Sequence, residues 1–408
     1  MKSNRGTEHS SIVNGNNLKL DRRKFLGIAS GTGFAAGVGA VFGTPATLFP
    51  QDKKKPEKVK TNFDSVKDTP RTKQSLPGPY PGKVVEIENK KVWKDEKVDK
   101  EVVREMVRRG MYELTGKKGA AAWRLFVEPA DIIGLKPNPV GKKIIGTRPE
   151  LAEAVIEELT AAGIPKKNII IWDRFDYMLT DGGFTKERFP DIELAGIQTM
   201  DPTHRGKWKD KNGKHVSINN FDMKSYYWAD VEGPDDDNYL NQHVFNGKYS
   251  YFGKLITKRL TKIINLPVLK NTGNSVSMAA KNISFAVIAN TNRLHKPVGL
   301  NLNVEVLGFP VVRDKLVLNI LDGINGQYGG GPMPNEKYAY KANRLYFATD
   351  PFAQDWIGYK EILAKRKADD SLKVNDSPRN MEYVRYAEKV GLGIGNPKKI
   401  KHKKIVLV

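Results

Sequence analysis

Two apolar runs in the chain each end on a lysine and an asparagine: Asp131-Ile-Ile-Gly-Leu-Lys-Pro-Asn138 and Lys262-Ile-Ile-Asn-Leu-Pro-Val-Leu-Lys-Asn271. Short β-branched runs of this kind read as parallel strands buried on both faces. Such strands need helices on either side and crossover connections between them. The fold class predicted is therefore α/β, a mostly parallel sheet with βαβ crossovers and helices on both faces. In open sheets of this type ligands collect beyond the carboxyl ends of the strands. Lys136, Asn138 and Lys270 are thus expected to line one crevice, together with a third Lys-Asn pair, Lys281-Asn282.

The spacing between elements supports this. A strand over 131–135 leads to Thr147-Arg-Pro-Glu150, where Pro149 suits the first turn of a helix carrying Leu151, Ala154, Val155 and Leu159. Asn168-Ile-Ile-Ile-Trp-Asp173 is the next strand and ends in an acid. Upstream, Val103, Met106, Val107, Met111 and Leu114 recur at helical spacing, with Gly116 as a stop. Downstream, the pattern predicts strands at 261–269, 316–321, 344–348 and 404–408, and helices at 275–289, 351–365 and 380–390. Residues 99–408 form the α/β domain in this reading. A polar, turn-rich insertion at about 178–251 interrupts it and is suited to cover the crevice as a lid.

The first 98 residues read differently. Asp21-Arg-Arg-Lys-Phe-Leu26 precedes an uncharged, glycine-rich stretch reaching Gly43, a pattern similar to a twin-arginine export signal over residues 1–46. An uncleaved membrane anchor is the competing reading, since the stretch approaches the roughly 20 residues that a span needs. Residues 47–98 are rich in Lys and Pro and read as a linker with one strand near 83–87. Passage through the export machinery would place the protein in the periplasm or cell envelope.

Composition narrows the chemistry. The chain has no cysteine, which removes thiolate nucleophiles, disulfides and any cysteine-ligated iron–sulfur cluster. The formal net charge is +22, and much of it lies in lysine runs at 51–60 and 397–404. No base-reading element accompanies them, so an anionic envelope surface is the expected partner and nucleic acid is not. The histidines His9, His204, His215, His243, His295 and His402 show no metal-ligand spacing. Asp235-Asp-Asp237 lacks the spaced ligands of a calcium loop, so no metal site is assigned.

The candidate site residues each have a bland alternative. Lysines past strand ends are commonly just solvated. Lys281, however, lies in an otherwise apolar helix and must snorkel or meet an anion. Asp350 before Pro351 is what a helix cap prefers. Asp322, Asp350 and Asp355 are nonetheless placed as acid–base or cation-binding groups if they share the crevice. Gly330 and Gly331, in Gly329-Gly-Gly-Pro332, permit close backbone approach to a ligand.

Taken in order, Ile133-Gly-Leu-Lys-Pro-Asn138, Arg148-Pro-Glu150, Asn265-Leu-Pro-Val-Leu-Lys270, Ala279-Ala-Lys-Asn282, Asp322-Gly323, Gly330-Gly-Pro332 and Thr349-Asp-Pro351 with Asp355 resemble the family called domain of unknown function 362. They resemble most its exported branch that lacks a cysteine cluster. The resemblance implies an α/β fold with these residues around one cleft, and it brings no activity with it. Members commonly have a histidine two residues after the lysine matching Lys270. Here that place is Thr272, which puts imidazole chemistry beside Lys270 in doubt. The expectation is an exported protein that binds or transforms a small anionic molecule. Lys136, Lys270 and Lys281 would hold that anion while Asn138 and Asn282 orient it. The alternative is a non-catalytic envelope binding protein whose lysines and aspartates form a structural ion-pair network; a third is a metal-dependent hydrolase using the aspartates. The cofactor, if any, is not specified.

Overall fold

A computed structural model describes residues 59–200, 217–231, 249–295 and 299–408. The export signal, the linker as far as residue 58, Asp235–Asp237, and His9, His204, His215 and His243 lie outside the described residues.

One mixed sheet organises the protein. Its strands are β1 (Lys83–Asn89), β2 (Ile133–Pro137), β3 (Ile169–Phe175), β4 (Glu193–Met200), β5 (Ser217–Asn219), β6 (Lys262–Leu266), β7 (Val268–Thr272), β8 (Leu316–Gln327), β9 (Ala339–Ala348) and β10 (Lys401–Leu407). Across the sheet they run in the order β10-β1-β9-β8-β6-β2-β3-β4-β5, with β7 pairing alongside the far half of β8. The centre, from β8 to β4, is parallel throughout. The fold is α/β, as the β-branched runs require.

Period-two alternation divides each strand between two cores. Ile169 and Ile171 of β3 face one side, with Ile133 and Leu135 of β2 and Ile264 of β6. That side is covered by α1 (Lys100–Thr115) and α2 (Pro149–Ala161). Ile170, Trp172 and Ile263 face the other, beneath α3 (Ala279–Val287), α4 (Gly299–Gly308) and α5 (Pro351–Lys367). Each such aliphatic side chain fully buried contributes about 1.5–3 kcal/mol, which is why both faces must be covered. Asp99 caps α1 by accepting from Glu101 N and Val102 N, and Gly116 ends it in the left-handed conformation.

Several elements differ from their sequence reading for local reasons. Pro267 carries no N–H and divides the expected strand 261–269 into β6 and β7. Ser275 and Val276 pair with β7 in a tight hairpin through Gly273, so α3 begins only at Ala279. The strand begun at Leu316 does not stop at Leu321; it continues through an irregularity near Gly323 to Gln327. Within 178–251, β4 and β5 extend the main sheet, and Phe221–Tyr227 pairs with Ser250–Gly253. The described part of the 47–98 stretch belongs to the folded body. β1 lies between β9 and β10, and Phe63 and Leu76 are buried.

Candidate functional site

β2 and β6 are parallel neighbours, yet their chains leave on opposite faces. After β2 the chain passes to α2 on one face, and after β6 and β7 it passes to α3 on the other. A gap opens at such a divergence, beyond the carboxyl ends of the strands. The lysines and asparagines singled out in the sequence stand around this point.

Register explains why. Lys136 of β2 pairs with Asn265 of β6, and Asn265 pairs with Asn319 of β8. Residues in register project to the same face, so a polar row crosses three strands. Asn282 of α3 enters the row from above. Its Nδ2 donates to Asn265 Oδ1 at 2.7 Å and to the Lys136 carbonyl at 3.1 Å. Asn265 Nδ2 donates in turn to Asn319 Oδ1 at 2.9 Å and to Ala279 O at 3.0 Å. Asn319 closes the relay on the carbonyls of Ala348 and Thr349. All three amides are buried, and the relay satisfies donors that would otherwise cost about 1–3 kcal/mol each.

Lys136 is anchored at the end of this row. Its Nζ lies 2.8 Å from Asp173 Oδ1 on β3, and donates to Pro137 O at 2.6 Å and Asn282 Oδ1 at 3.2 Å. Burial pulls its ammonium down, and Asp173 opposes that pull. Next to Asp173, Arg174 reaches Thr291 Oγ1 at 2.7 Å and the Ala289 carbonyl; burial lowers its guanidinium to about 10.

Lys270 differs. Its side chain is 1% exposed, and its Nζ donates to Asn138 Oδ1 at 3.1 Å. Burial, then the positive charges of Lys281 and Lys136, bring its ammonium down to about 7. Lys281 and Lys136 therefore stand close enough for their charges to act on Lys270, an effect that Asp173 partly offsets. Lys281 keeps a partly exposed side chain, with Nζ 4.7 Å from the Phe285 ring centroid, and surrounding protein still lowers its ammonium to about 8. Among the described residues no carboxylate pairs with Lys270 or Lys281; Asp173 pairs with Lys136 alone in the cluster.

The aspartates spend their oxygens on backbone N–H groups. Asp350 caps α5 through Phe352 N and Ala353 N, and also accepts from Gly82 N and Ile394 N. Asp355 accepts from Ala279 N and Ala280 N, so it caps α3 from another helix, and from the Tyr383 hydroxyl. Asp322 accepts from Arg148 N and Ile324 N, tying the start of α2 to β8. Burial pushes Asp322 and Asp350 up to about 6 and Asp355 to about 7, against the donors that hold them down. None of the three forms an ion pair with the lysines among the described residues.

Gly331 N donates to Asn271 Oδ1 at 3.1 Å, and a Cβ on Gly331 would lie 2.2 Å from the Asn271 carbonyl oxygen. Gly330 has φ +67° and packs on Asn335. The glycines therefore let this loop close on the end of β7. Thr147 accepts from Asn138 N and donates to Leu266 O, linking β2 to β6. The described residues bring no three His, Asp or Glu groups together at metal-binding distance.

The sequence reading assigned no role to Asp173, Asn265 or Asn319. Asp173 was visible as a strand-ending acid. The two asparagines were signalled only as amides inside apolar strands, a placement that demands partners.

The fold is α/β, and a buried polar cluster stands where the connections of β2 and β6 diverge. The family model for a domain of unknown function (DUF362) matches residues 133–360, more than half of the chain, and the chain belongs to that family. Comparison with curated proteins gives no match.

Proposed function

We propose that the crevice beyond β2 and β6 binds, or binds and transforms, a small anion. The observation carrying this reading is Lys270, buried at the strand divergence beside two further lysines with a neutral amide as its partner. A buried cation with no ion-pair partner of its own, Asp173 being held by Lys136, is costly, and an anion would offset that cost. Asn138 would orient the ligand, while Asn282, whose two N–H bonds are already given to Asn265 Oδ1 and the Lys136 carbonyl, holds Lys136 in place instead of meeting the ligand as the sequence suggested. Lys136 and Asp173 form the fixed wall. The aspartates, occupied by backbone donors, act in this reading as the scaffold that sets α3, α5 and the 148 turn. The alternative of a purely structural lysine–aspartate network is less well supported, because Asp322, Asp350 and Asp355 do not pair with these lysines.

We further propose that the Arg22-Arg23 signal sends the folded protein through the twin-arginine route to the periplasm or envelope, where the lysines at 51–60 favour anionic surfaces. Of the run at 397–404, Lys399, Lys403 and Lys404 pair with Glu388, Glu113 and Glu88. Arg22→Lys with Arg23→Lys should retain the protein in the cytoplasm.

The binding reading is tested by thermal unfolding of the full chain against a panel of phosphate, sulfate and small carboxylates. A ligand at a hundredfold its dissociation constant stabilises by about 2.7 kcal/mol. At least one anion should raise the midpoint of the wild type and leave Lys270→Met unmoved. Equal responses in both proteins would sink the proposal.

A further inference from the structure

The three lysines are not equivalent. Lys136 Nζ has an acceptor for each of its three N–H bonds: Asp173 Oδ1, Pro137 O and Asn282 Oδ1. It is fixed and has nothing left to offer a ligand. Lys281 stands partly exposed, with its Nζ over the Phe285 ring. Lys270 alone combines full burial, a positioning contact to Asn138 Oδ1 and N–H directions that no described residue takes. We infer that Lys270 is a nucleophile that forms an imine with a small oxo acid whose carboxylate rests against Lys281. This deepens the anion-binding reading and rests on it.

The chemistry suits the geometry. An amine among other cations loses its proton readily, and a desolvated lysine becomes a nucleophile at neutral pH. With its ammonium lowered to about 7, Lys270 holds about three orders of magnitude more free base at pH 7 than an ordinary lysine. Its nitrogen attacks the carbonyl carbon and a C–N bond forms. The two amine protons leave with the carbonyl oxygen as water, and an imine remains with no change in oxidation state. Lys281 supplies positive charge for the adjoining carboxylate and, lowered to about 8, can lend a proton to the departing oxygen and take one back from the iminium nitrogen, so that the net water still carries the two amine protons.

The test treats the full-length protein with glyoxylate and cyanoborohydride at pH 7 and maps the reduced adduct by peptide mass spectrometry. Lys270 should be modified about tenfold or more faster than any exposed lysine. Glycolate, which has the carboxylate but no carbonyl, should protect it and should raise the thermal midpoint. Lys281→Gln should slow the modification several-fold. Modification of Lys270 no faster than that of surface lysines, with glycolate still raising the midpoint, would overturn the imine and leave the anion site standing. No adduct at Lys270 and no glycolate effect on the midpoint would overturn the imine and count against small carboxylates as the anion.

Discussion

Lys270 Nζ donates to Asn138 Oδ1 at 3.1 Å, joining the segments that follow two parallel strands whose connections leave on opposite faces of the sheet. The contact ties the chain after β2 to β7, yet it pairs a buried ammonium with a neutral amide. Nearby Lys281 and Lys136 make that ammonium harder to keep. Stability alone gives no reason for such an arrangement, since an apolar side chain there would cost less.

Lys270→Met should therefore leave the thermal midpoint of the ligand-free protein unchanged or raised. The loss of one hydrogen bond from a charged donor, about 1.5–3 kcal/mol, is set against removal of a buried charge that has no ion-pair partner of its own. A strongly lowered midpoint would mean that the lysine is structural.

The same lysine fixes a pH dependence. Its pKa is about 7 in the folded protein and near 10.4 in an unfolded chain, so the unfolded state binds more protons between those values. Its penalty is complete below about pH 7 and fades as pH rises toward 10. The stability gap between Lys270→Met and wild type, measured by urea unfolding, should narrow from pH 7 to pH 10. A gap independent of pH would contradict the burial argument.

Asp173→Asn should be far more damaging, because it leaves Lys136 buried without its counter-charge. Breaking such a pair costs about 3–5 kcal/mol. The double variant Asp173→Asn with Lys136→Met should recover most of that loss in a denaturant titration. Additive losses would show that the pair is not coupled.

Much of this arrangement was legible before any coordinates. The β-branched runs ending in Lys136 and Lys270 announced buried parallel strands, and their carboxyl ends pointed to the place where the lysines gather. Asp350-Pro351 was readable as a helix cap and is one. Asn265 and Asn319 were not readable, because their meeting depends on the register of β2, β6 and β8. Asp355 was out of reach for a similar reason. It caps α3 from α5, a contact across some 75 residues of chain that no local pattern encodes. β4, eight residues long, was obscured because the polar, turn-rich residues that follow it hid its pattern.

Asn265→Ala should cost about 1–3 kcal/mol by leaving Asn282 and Asn319 without their amide partner. It should also weaken anion-dependent stabilisation, since Asn282 then loses its orientation. A variant with unchanged anion response would remove the relay from the site.

Asp355→Ala separates scaffold from site. Loss of the cap on α3 should lower stability by about 1–2 kcal/mol while the rise in midpoint caused by a saturating anion persists. Abolished anion response in a protein that still unfolds cooperatively would restore Asp355 to the binding machinery.

The central claim is that an anion sits at Lys270, and anomalous diffraction from a crystal soaked in bromide tests it most directly. The account predicts a leading bromide peak within hydrogen-bond reach of Lys270 Nζ, absent from a Lys270→Met crystal. Bromide found only at exposed lysines, with nothing between Lys270 and Lys281, would contradict it.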